Sequence, residues 1–351
     1  MKKLMNADAV PSGRLRRSGT VTAVLRAYTA RPLGLVHLQT MNIDLRLVDS
    51  DQRSRISGRP TLHVATDAYS GLIAGIAVSL DDRKVGGMFA ALLNVTADKC
   101  RYCETHGISI DADAWPVAHL PEAITVDGSR IALAGASILT DQLGVQVITL
   151  VSTNSLYRKV AVERHFTLHT NKLPDAVLSL RDFERLVIHF VLHYNHEHRI
   201  PEKAMPEAAR EDGIASIPVA LWRWGCANLT YALRTVNTEV VNRALLPRGK
   251  ATLTAKGLLF RGLYYNSAHC IREGWFTRAA EVGRSSVAIR YDPNLVDTVL
   301  LALGDRLERC ELLWRSEEYL GRSWQELPSR GLSAKRASSP SSSSPTSPRR
   351  A

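Results

Sequence analysis

The sequence predicts an α/β domain followed by a small all-β barrel. Three apolar strand patterns follow one another from about residue 37, and the last two flank a turn at residues 69–71. A strand–helix–strand pattern over residues 122–151 then favours a parallel crossover. After residue 246, short strand patterns alternate with glycine turns, which is typical of a barrel. The first two observations together predict a mixed five-stranded sheet with flanking helices.

The first half of the domain contains the three successive strand patterns. HLQTMNIDLRLV, residues 37–48, is one apolar run, and RPTLHVATDAYSGLIAGIAVSL, residues 59–80, holds two more. Their β-branched and apolar composition predicts three antiparallel strands. Apolar residues then recur at helical spacing over residues 85–106, which predicts a helix.

The second half contains the crossover and two further helices. Short strands are predicted at 122–126 and 145–151, with a helix over 130–142 between them. The polar loop STNSLYRK precedes a helix that carries Glu163, and another amphipathic helix is predicted over 180–194.

The remaining patterns complete a six-part organisation of the chain. A helix near 219–233 precedes strand patterns at 250–266, 287–290 and 296–302. The predicted segments are a basic arm (1–36), an α/β core (37–200), a helical connection (201–245), a β-barrel (246–305), a C-terminal helix (306–330) and a disordered Ser/Pro-rich tail (331–351).

Charge and composition indicate a polyanionic partner. The 351 residues carry a net charge of +11, which nucleic acid would complement most simply. No run of about 18 apolar residues is present, so no membrane partner is expected. Five scattered cysteines and the lack of a signal-peptide pattern predict a reducing, cytoplasmic location, and a nucleic-acid partner would make it nucleoid-associated.

Three carboxylates stand in contexts that suit metal-dependent chemistry. Asp44 and Asp127 lie at or near the ends of apolar runs, and Glu163 lies on a predicted helix, with 35 residues between it and Asp127. Strand ends can converge on one crevice, where such a triad can hold two Mg²⁺ ions about 3.5–4 Å apart. Taken alone, an aspartate at a strand end is more often a cap or turn residue and a glutamate on a helix is usually solvated, but the spacing and sequence context favour the three as a joint site.

The motifs around these carboxylates resemble one family. QTMNIDLRLVDS, RPTLHVATDAYSGLIAGIAVSL, AITVDGSR, YRKVAVERHFTLHTNKLP and YNHEHRIPEKAMPEAA follow in the order found in Mu-type transposases, within the RNase H-like retroviral integrase superfamily. ATLTAKGLLFRGLYYNS and AIRYDPNLVDTVLL resemble the small C-terminal barrel of that family. The resemblance covers about residues 37–305 and implies an RNase H-like mixed five-stranded sheet.

The resemblance also implies a function and a site. It implies metal-dependent nicking of transposon ends and strand transfer into target DNA, with two Mg²⁺ ions that Mn²⁺ can replace. The implied metal-binding and catalytic residues are Asp44, Asp127 and Glu163. Arg158, Lys159 and Arg164 flank the last of these and are expected to contact DNA phosphates. A homo-oligomer on DNA and an ATPase that selects the target are the implied assembly and further partner.

Asp67 matches the Asp-x-Tyr-Ser position of the family, and hydrogen bonding within the sheet is its expected role. Three departures from the family pattern motivate an alternative function. Gly128, Ser129 and Arg130 follow Asp127, Val160 stands where the family often has glycine, and only about 36 residues precede the core. The alternative is a catalytically inactive or truncated transposase remnant that acts only in DNA binding or assembly. A structure-selective RNase H-type nuclease ranks last, because it does not explain the barrel.

Two further motifs favour structural roles. Cys100-x-x-Cys103-x-x-His106 is at best half a zinc site, so small buried cysteines are expected. His189 and His193 stand four residues apart without the intervening glutamate of a zinc protease, so a packed helix is expected.

Overall fold

The computed structural model describes residues 25–80, 84–126, 135–149, 156–228 and 232–327. The predicted arm therefore lies outside the described residues up to residue 24, and the predicted tail lies outside them entirely. Residues 25–29 are helical, and the first strand begins at Leu35, two residues before the predicted start of the core.

The core is built on a mixed five-stranded sheet in the order β5-β4-β1-β6-β7. β1, β4 and β5 pair in antiparallel fashion, whereas β1, β6 and β7 pair in parallel. The predicted RNase H-like sheet is therefore confirmed by strand order and direction. The core strands are β1 (Leu35–Asn42), β2 (Leu47–Val48), β3 (Ile56–Gly58), β4 (Thr61–Asp67), β5 (Ile73–Ser79), β6 (Ala123–Val126) and β7 (Gln146–Thr149), with β2 and β3 forming a separate ribbon.

Helices cover the sheet and form the connection to the barrel. In chain order they are α1 (Lys84–Thr96), α2 (Lys99–Thr105), α3 (Leu156–Thr170), α4 (Leu180–Glu197), α5 (Glu207–Glu211), α6 (Pro218–Asn228), α7 (Thr238–Leu245), α8 (Ala268–Arg272) and α9 (Trp275–Val282). A π-helical turn, Ile138–Gln142, lies where the crossover helix was predicted. The start of α4 is fixed by a capping box between Ser179 and Asp182.

The helix predicted over residues 85–106 is in fact two helices. Asp98 breaks it, because its side chain caps α2 by accepting a hydrogen bond from the backbone N–H of Arg101. The buried ammonium of Lys99 donates to the carbonyls of Asn94 and Val95 at the end of α1. A charged side chain therefore satisfies carbonyls that the break leaves without helical partners.

The second unit is a closed six-stranded barrel in the order β10-β13-β12-β11-β8-β9. Its strands are β8 (Arg248–Thr254), β9 (Gly257–Phe260), β10 (Leu263–Asn266), β11 (Ser285–Tyr291), β12 (Thr298–Leu303) and β13 (Arg306–Leu312). A tight turn at Arg261 and Gly262, both with positive φ, joins β9 to β10. The predicted small barrel is confirmed.

The helix predicted over residues 306–330 was wrong. Arg306–Leu312 is strand β13, which pairs with both β12 and β10 and closes the barrel. A short 3-10 helix, Trp314–Tyr319, follows it. The charged residues of β13 do not favour a strand locally. Its conformation is set by pairing with two neighbouring strands, so the sequence pattern did not predict it.

The segment after the barrel returns to the core. The guanidinium of Arg322 donates to both carboxylate oxygens of Asp51, at 2.5 and 3.0 Å. Beside this pair, the hydroxyl of Ser50 donates to Glu326 at 2.7 Å. We call these four residues the C-terminal clasp, and it joins the two units of the chain.

No helix in the described part of the chain has the length and apolar character needed to cross a membrane.

Candidate functional site

The candidate site is the end of the sheet at which β6 stops. Leu38 of β1 pairs in parallel with Val126, the last residue of β6. Gln39 is the next residue of β1, and on its other side it pairs with Val64 of β4. Asp127 follows Val126 in the sequence and lies outside the described residues, so its predicted role stays a prediction.

Gln39 is a buried polar residue in the central strand. Its side chain is 2% exposed, and neither its amide oxygen nor its amide nitrogen has a hydrogen-bond partner among the described residues. Thr40 faces α1, because its hydroxyl lies 3.0 Å from the ring of His63, which lies against Gly87 of α1. Successive side chains of a strand point to opposite faces, so Gln39 points away from α1.

Other polar groups share this face of the sheet. His37 lies two residues before Gln39, and its Nδ1 is 2.6 Å from the hydroxyl of Thr125 on β6. Thr66 of β4 pairs with His37, and its buried hydroxyl lacks a partner within the described chain. The buried face of the sheet therefore carries a polar stripe, His37, Gln39, Thr66 and Thr125, that leads to the end of β6.

The structure does not bring Asp44 to this end of the sheet. Asn42 ends β1 four residues beyond Leu38, or about 13 Å at the rise of an extended strand, and Asp44 lies two residues further. Its side chain is 83% exposed and forms an ion pair with Arg59. The role of Asp44 as a metal ligand stays a prediction.

Glu163 lies on α3, which contacts β1. Val162 and Phe166 anchor the helix with fully buried side chains, whereas Glu163 and Arg164 are exposed. The side chains of Arg158 and Lys159 lie outside the described part of α3. The predicted helix is therefore present, and it presents a carboxylate and a cation to solvent.

Asp67 has the structural role that the sequence predicted for it. Its carboxylate is fully buried and accepts hydrogen bonds from the backbone N–H of Leu33 and from the N–H and hydroxyl of Ser70, at 2.8, 2.8 and 2.6 Å. These bonds close the turn after β4 and hold the chain that enters β1.

Histidines form the contact between α3 and α4. The ring of His165 lies 4.4 Å from that of His169 and 5.9 Å from that of His193. Burial, together with these neighbouring rings, lowers the pKa of His165 to about 4. No group of three His, Cys, Asp or Glu residues in the described ranges is placed to hold a metal ion.

The cysteine motif is also structural in the described chain. Cys103 is fully buried, and His106 lies 3.6 Å from Glu184 of α4. Burial lowers the pKa of His106, but hydrogen bonding and electrostatic attraction to Glu184, together with a hydrogen bond to the carbonyl of Tyr102, raise it overall. Cys103 is thus buried as predicted, whereas Cys100 is only partly buried.

A cluster of arginines lies where α7 meets the barrel. Arg248 of β8 is directly opposite Arg290 of β11 in the antiparallel register, and Arg243 of α7, which forms an ion pair with Asp305, lies near Arg290. The pKa of Arg290 is lowered by burial and then by these two neighbouring guanidinium groups. Lys250 follows on the exposed side of β8. We call Arg243, Arg248, Lys250 and Arg290 the barrel basic cluster.

Sequence reasoning missed both Gln39 and the barrel basic cluster. Gln39 stands in the strand pattern VHLQTM, and an amide side chain within a predicted core strand is the signal that could have identified it. The cluster has no sequence signal, because β8 and β11 are brought together only by closure of the barrel.

Comparison with known proteins adds two sequence matches. A family model described as the TnsB C-terminal domain matches residues 38–176. Transposon Tn7 transposition protein TnsB of Escherichia coli is 30% identical over 309 residues, a match that covers 81% of this chain and 44% of that protein. The chain therefore spans less than half of the length of this relative. Both matches are similarities to the transposition protein TnsB, and the Mu-type and integrase assignments stay predictions.

Two solved structures are similar at low sequence identity. The catalytic core domain of BIV integrase is 11% identical and covers 51% of this chain and 95% of its own, with a TM-score of 0.27. A simian T-cell lymphotropic virus intasome in complex with PP2A regulatory subunit B56 gamma is 9% identical and covers 86% of this chain and 81% of its own, with a TM-score of 0.32. Both TM-scores are low, so the fold assignment rests on the strand order and register given above.

Proposed function

We propose that this chain binds DNA as a structural subunit of a transposition complex. The observation that carries the proposal is the barrel basic cluster, in which Arg248 and Arg290 stand directly opposite one another. Like charges in opposite positions of a sheet repel each other and destabilise it, and an anion bound between them would relieve that repulsion. A DNA phosphate supplies that anion, and arginine binds phosphate oxygens through two parallel hydrogen bonds.

The overall charge and the sequence matches support the same partner. The net charge of +11 favours a polyanion. The relative that matches over 309 residues is a transposition protein, which supports a role for this chain in transposition. A homo-oligomer on DNA and an ATPase that selects the target are proposed as the remaining parts of the complex.

A structural role is favoured over catalysis because of the position of Asp44. A two-ion site gathers its carboxylates around metal ions that lie only about 3.5–4 Å apart. Asp44 is two residues beyond the end of β1 and paired with Arg59, whereas Gln39 is the first residue of β1 beyond the described end of β6. The described residues therefore do not fit two Mg²⁺ ions, and no reaction step is derived through them.

Binding of DNA tests the proposal. Arg248→Ala with Lys250→Ala is expected to weaken binding of a transposon-end duplex and to reduce the salt slope of log K by about 2, because each lost phosphate contact lowers that slope by about 0.9. Lys256→Ala is the matched control, because this exposed lysine lies beyond the other end of β8. If the wild type, the Arg248→Ala/Lys250→Ala double variant and Lys256→Ala all show the same slope of log K against log salt concentration, a DNA-binding role for the cluster is refuted.

The second candidate function is metal-dependent strand transfer by Asp44, Asp127 and Glu163. The observation in its favour is that Glu163 is exposed on a helix that contacts β1. A joining assay with pre-cleaved ends, in Mg²⁺ or Mn²⁺, separates the two functions. Joined product that disappears in Glu163→Gln, with DNA binding retained, would establish the enzyme and replace the structural role.

A further inference from the structure

We propose that Gln39 stands at the position on β1 from which a carboxylate would have to reach a metal ion, so that its neutral amide leaves this site one charged ligand short. This inference rests on the proposed function, because a neutral residue at this position would explain chemically why the core does not catalyse strand transfer. It also makes a stronger claim, which is that one substitution installs the missing ligand.

Gln39 lies on the central strand, next to the described end of β6. The parallel register pairs Leu38 with Val126, so Gln39 is the first residue of β1 beyond the described end of β6. Ligands in open α/β sheets bind in the crevice outside the carboxyl ends of parallel strands. The helix that carries Glu163 contacts β1 as well. Gln39 is therefore the side chain that the central strand offers to this crevice.

The amide of Gln39 is buried without partners. The side chain is 2% exposed, and both amide atoms lack hydrogen-bond partners among the described residues. A buried polar group left without a partner costs about 1–3 kcal/mol, and native structures keep such groups rarely. The polar stripe of His37, Thr66 and Thr125 on the same face shows that this part of the core is not apolar. A buried polar side chain without a partner, on a polar face of the sheet, fits a ligand-binding position whose ligand group has been replaced.

An amide is a poorer ligand for a divalent cation than a carboxylate. Hard divalent cations take carboxylate oxygens, and the number of charged ligands sets their affinity. The amide of Gln39 offers one neutral oxygen and an N–H₂ group that repels a cation. Asp44 cannot supply the missing charge, because it lies beyond the end of β1 and is paired with Arg59 at the surface.

Metal binding by the full-length chain tests the inference. The probe is Mn²⁺, titrated against the protein and followed by the electron paramagnetic resonance signal of the unbound ion, with the shift in Tm as a second readout. Gln39→Asp is expected to bind Mn²⁺ about tenfold or more tightly than the wild type. Gln39→Glu, which keeps the size of the native side chain, carries the test if the aspartate variant does not fold.

Two further variants locate the gained site. Glu163→Gln in the Gln39→Asp background is expected to remove the gain, whereas Asp44→Asn in the same background is expected to leave it unchanged. The proposal is overturned if the wild type binds Mn²⁺ as tightly as both Gln39 variants, or if the gain depends on Asp44 instead of Glu163. DNA binding is measured on the same samples, so that failure of the proposed function would appear there and not in the metal titration.

Discussion

The carboxylate of Asp67 accepts a hydrogen bond from the backbone N–H of Leu33 at 2.8 Å, across 34 residues of sequence. The same carboxylate accepts two bonds from Ser70. One buried charge thus joins the turn between β4 and β5 to the segment that enters β1. This relationship positions the central strand and, with it, Gln39.

Replacement of Asp67 by alanine is therefore expected to destabilise the core. The change leaves the N–H of Leu33 and the N–H of Ser70 without their acceptor in the interior, at a cost of about 3 kcal/mol. Unfolding in urea, followed by circular dichroism, measures the loss. A free energy of unfolding within about 0.5 kcal/mol of the wild type would show that these bonds add no net stability.

Asp44 is expected to behave in the opposite way. Its side chain is 83% exposed, and exposed ion pairs contribute about 0–1 kcal/mol. Asp44→Asn and Arg59→Ala, alone and together, are each expected to change the free energy of unfolding by less than about 1 kcal/mol. A double-mutant cycle provides the measurement, and a coupling energy above about 2 kcal/mol would contradict a surface role.

The contrast between these two aspartates shows how far the sequence could lead. β-branched and apolar composition predicted the strands on both sides of the turn at residues 69–71, and the crossover pattern predicted the parallel pairing of β6 and β7. The apolar run that contains Asp44 was read as a single strand, but it breaks after Asn42. Which residue of β1 is level with the end of β6 depends on register between strands far apart in sequence, and no local pattern encodes that register.

Gln39→Leu is expected to leave the core as stable as the wild type or to stabilise it by about 1 kcal/mol. The substitution removes two buried polar atoms that lack partners among the described residues and keeps a similar volume. Unfolding in urea measures the difference, and Gln39→Ala, which leaves a cavity, is the control that should lose stability. A loss above about 2 kcal/mol in Gln39→Leu would indicate that the amide forms a hydrogen bond in solution.

The low pKa of His165 in the folded chain leads us to expect a loss of stability in mild acid. Its folded pKa is about 4, whereas an unfolded histidine has a pKa of about 6.5, so between these values only the unfolded chain takes up the proton. Above a pH of about 6.5 the ring is neutral in both states and does not lower the free energy of unfolding. As the pH falls towards 4, proton uptake by the unfolded chain lowers that free energy progressively. His165→Gln is expected to remove on the order of 1 kcal/mol of this decline, once the shift is discounted for solvent that reaches the half-buried ring.

Thermal unfolding between these two pH values, compared with that of the wild type, provides the measurement. His189→Gln is the matched control, because His189 is exposed on the neighbouring helix α4. Parallel stability curves for the wild type and His165→Gln would show that this ring does not titrate on unfolding.

The C-terminal clasp is expected to couple the stability of the barrel to that of the core. Arg322 binds Asp51 through two hydrogen bonds, and the ion pair raises the pKa of the guanidinium. Arg322→Ala is expected to lower the free energy of unfolding by about 1 kcal/mol, because bidentate geometry makes this pair stronger than a typical surface pair. Added salt should reduce the difference.

Arg306→Ala is the control, because Arg306 pairs with Glu308 on its own strand and does not connect the barrel to the core. Calorimetry distinguishes the outcomes: Arg322→Ala should broaden the transition or separate it into two, and a single sharp transition like that of Arg306→Ala would show that the clasp does not couple the units.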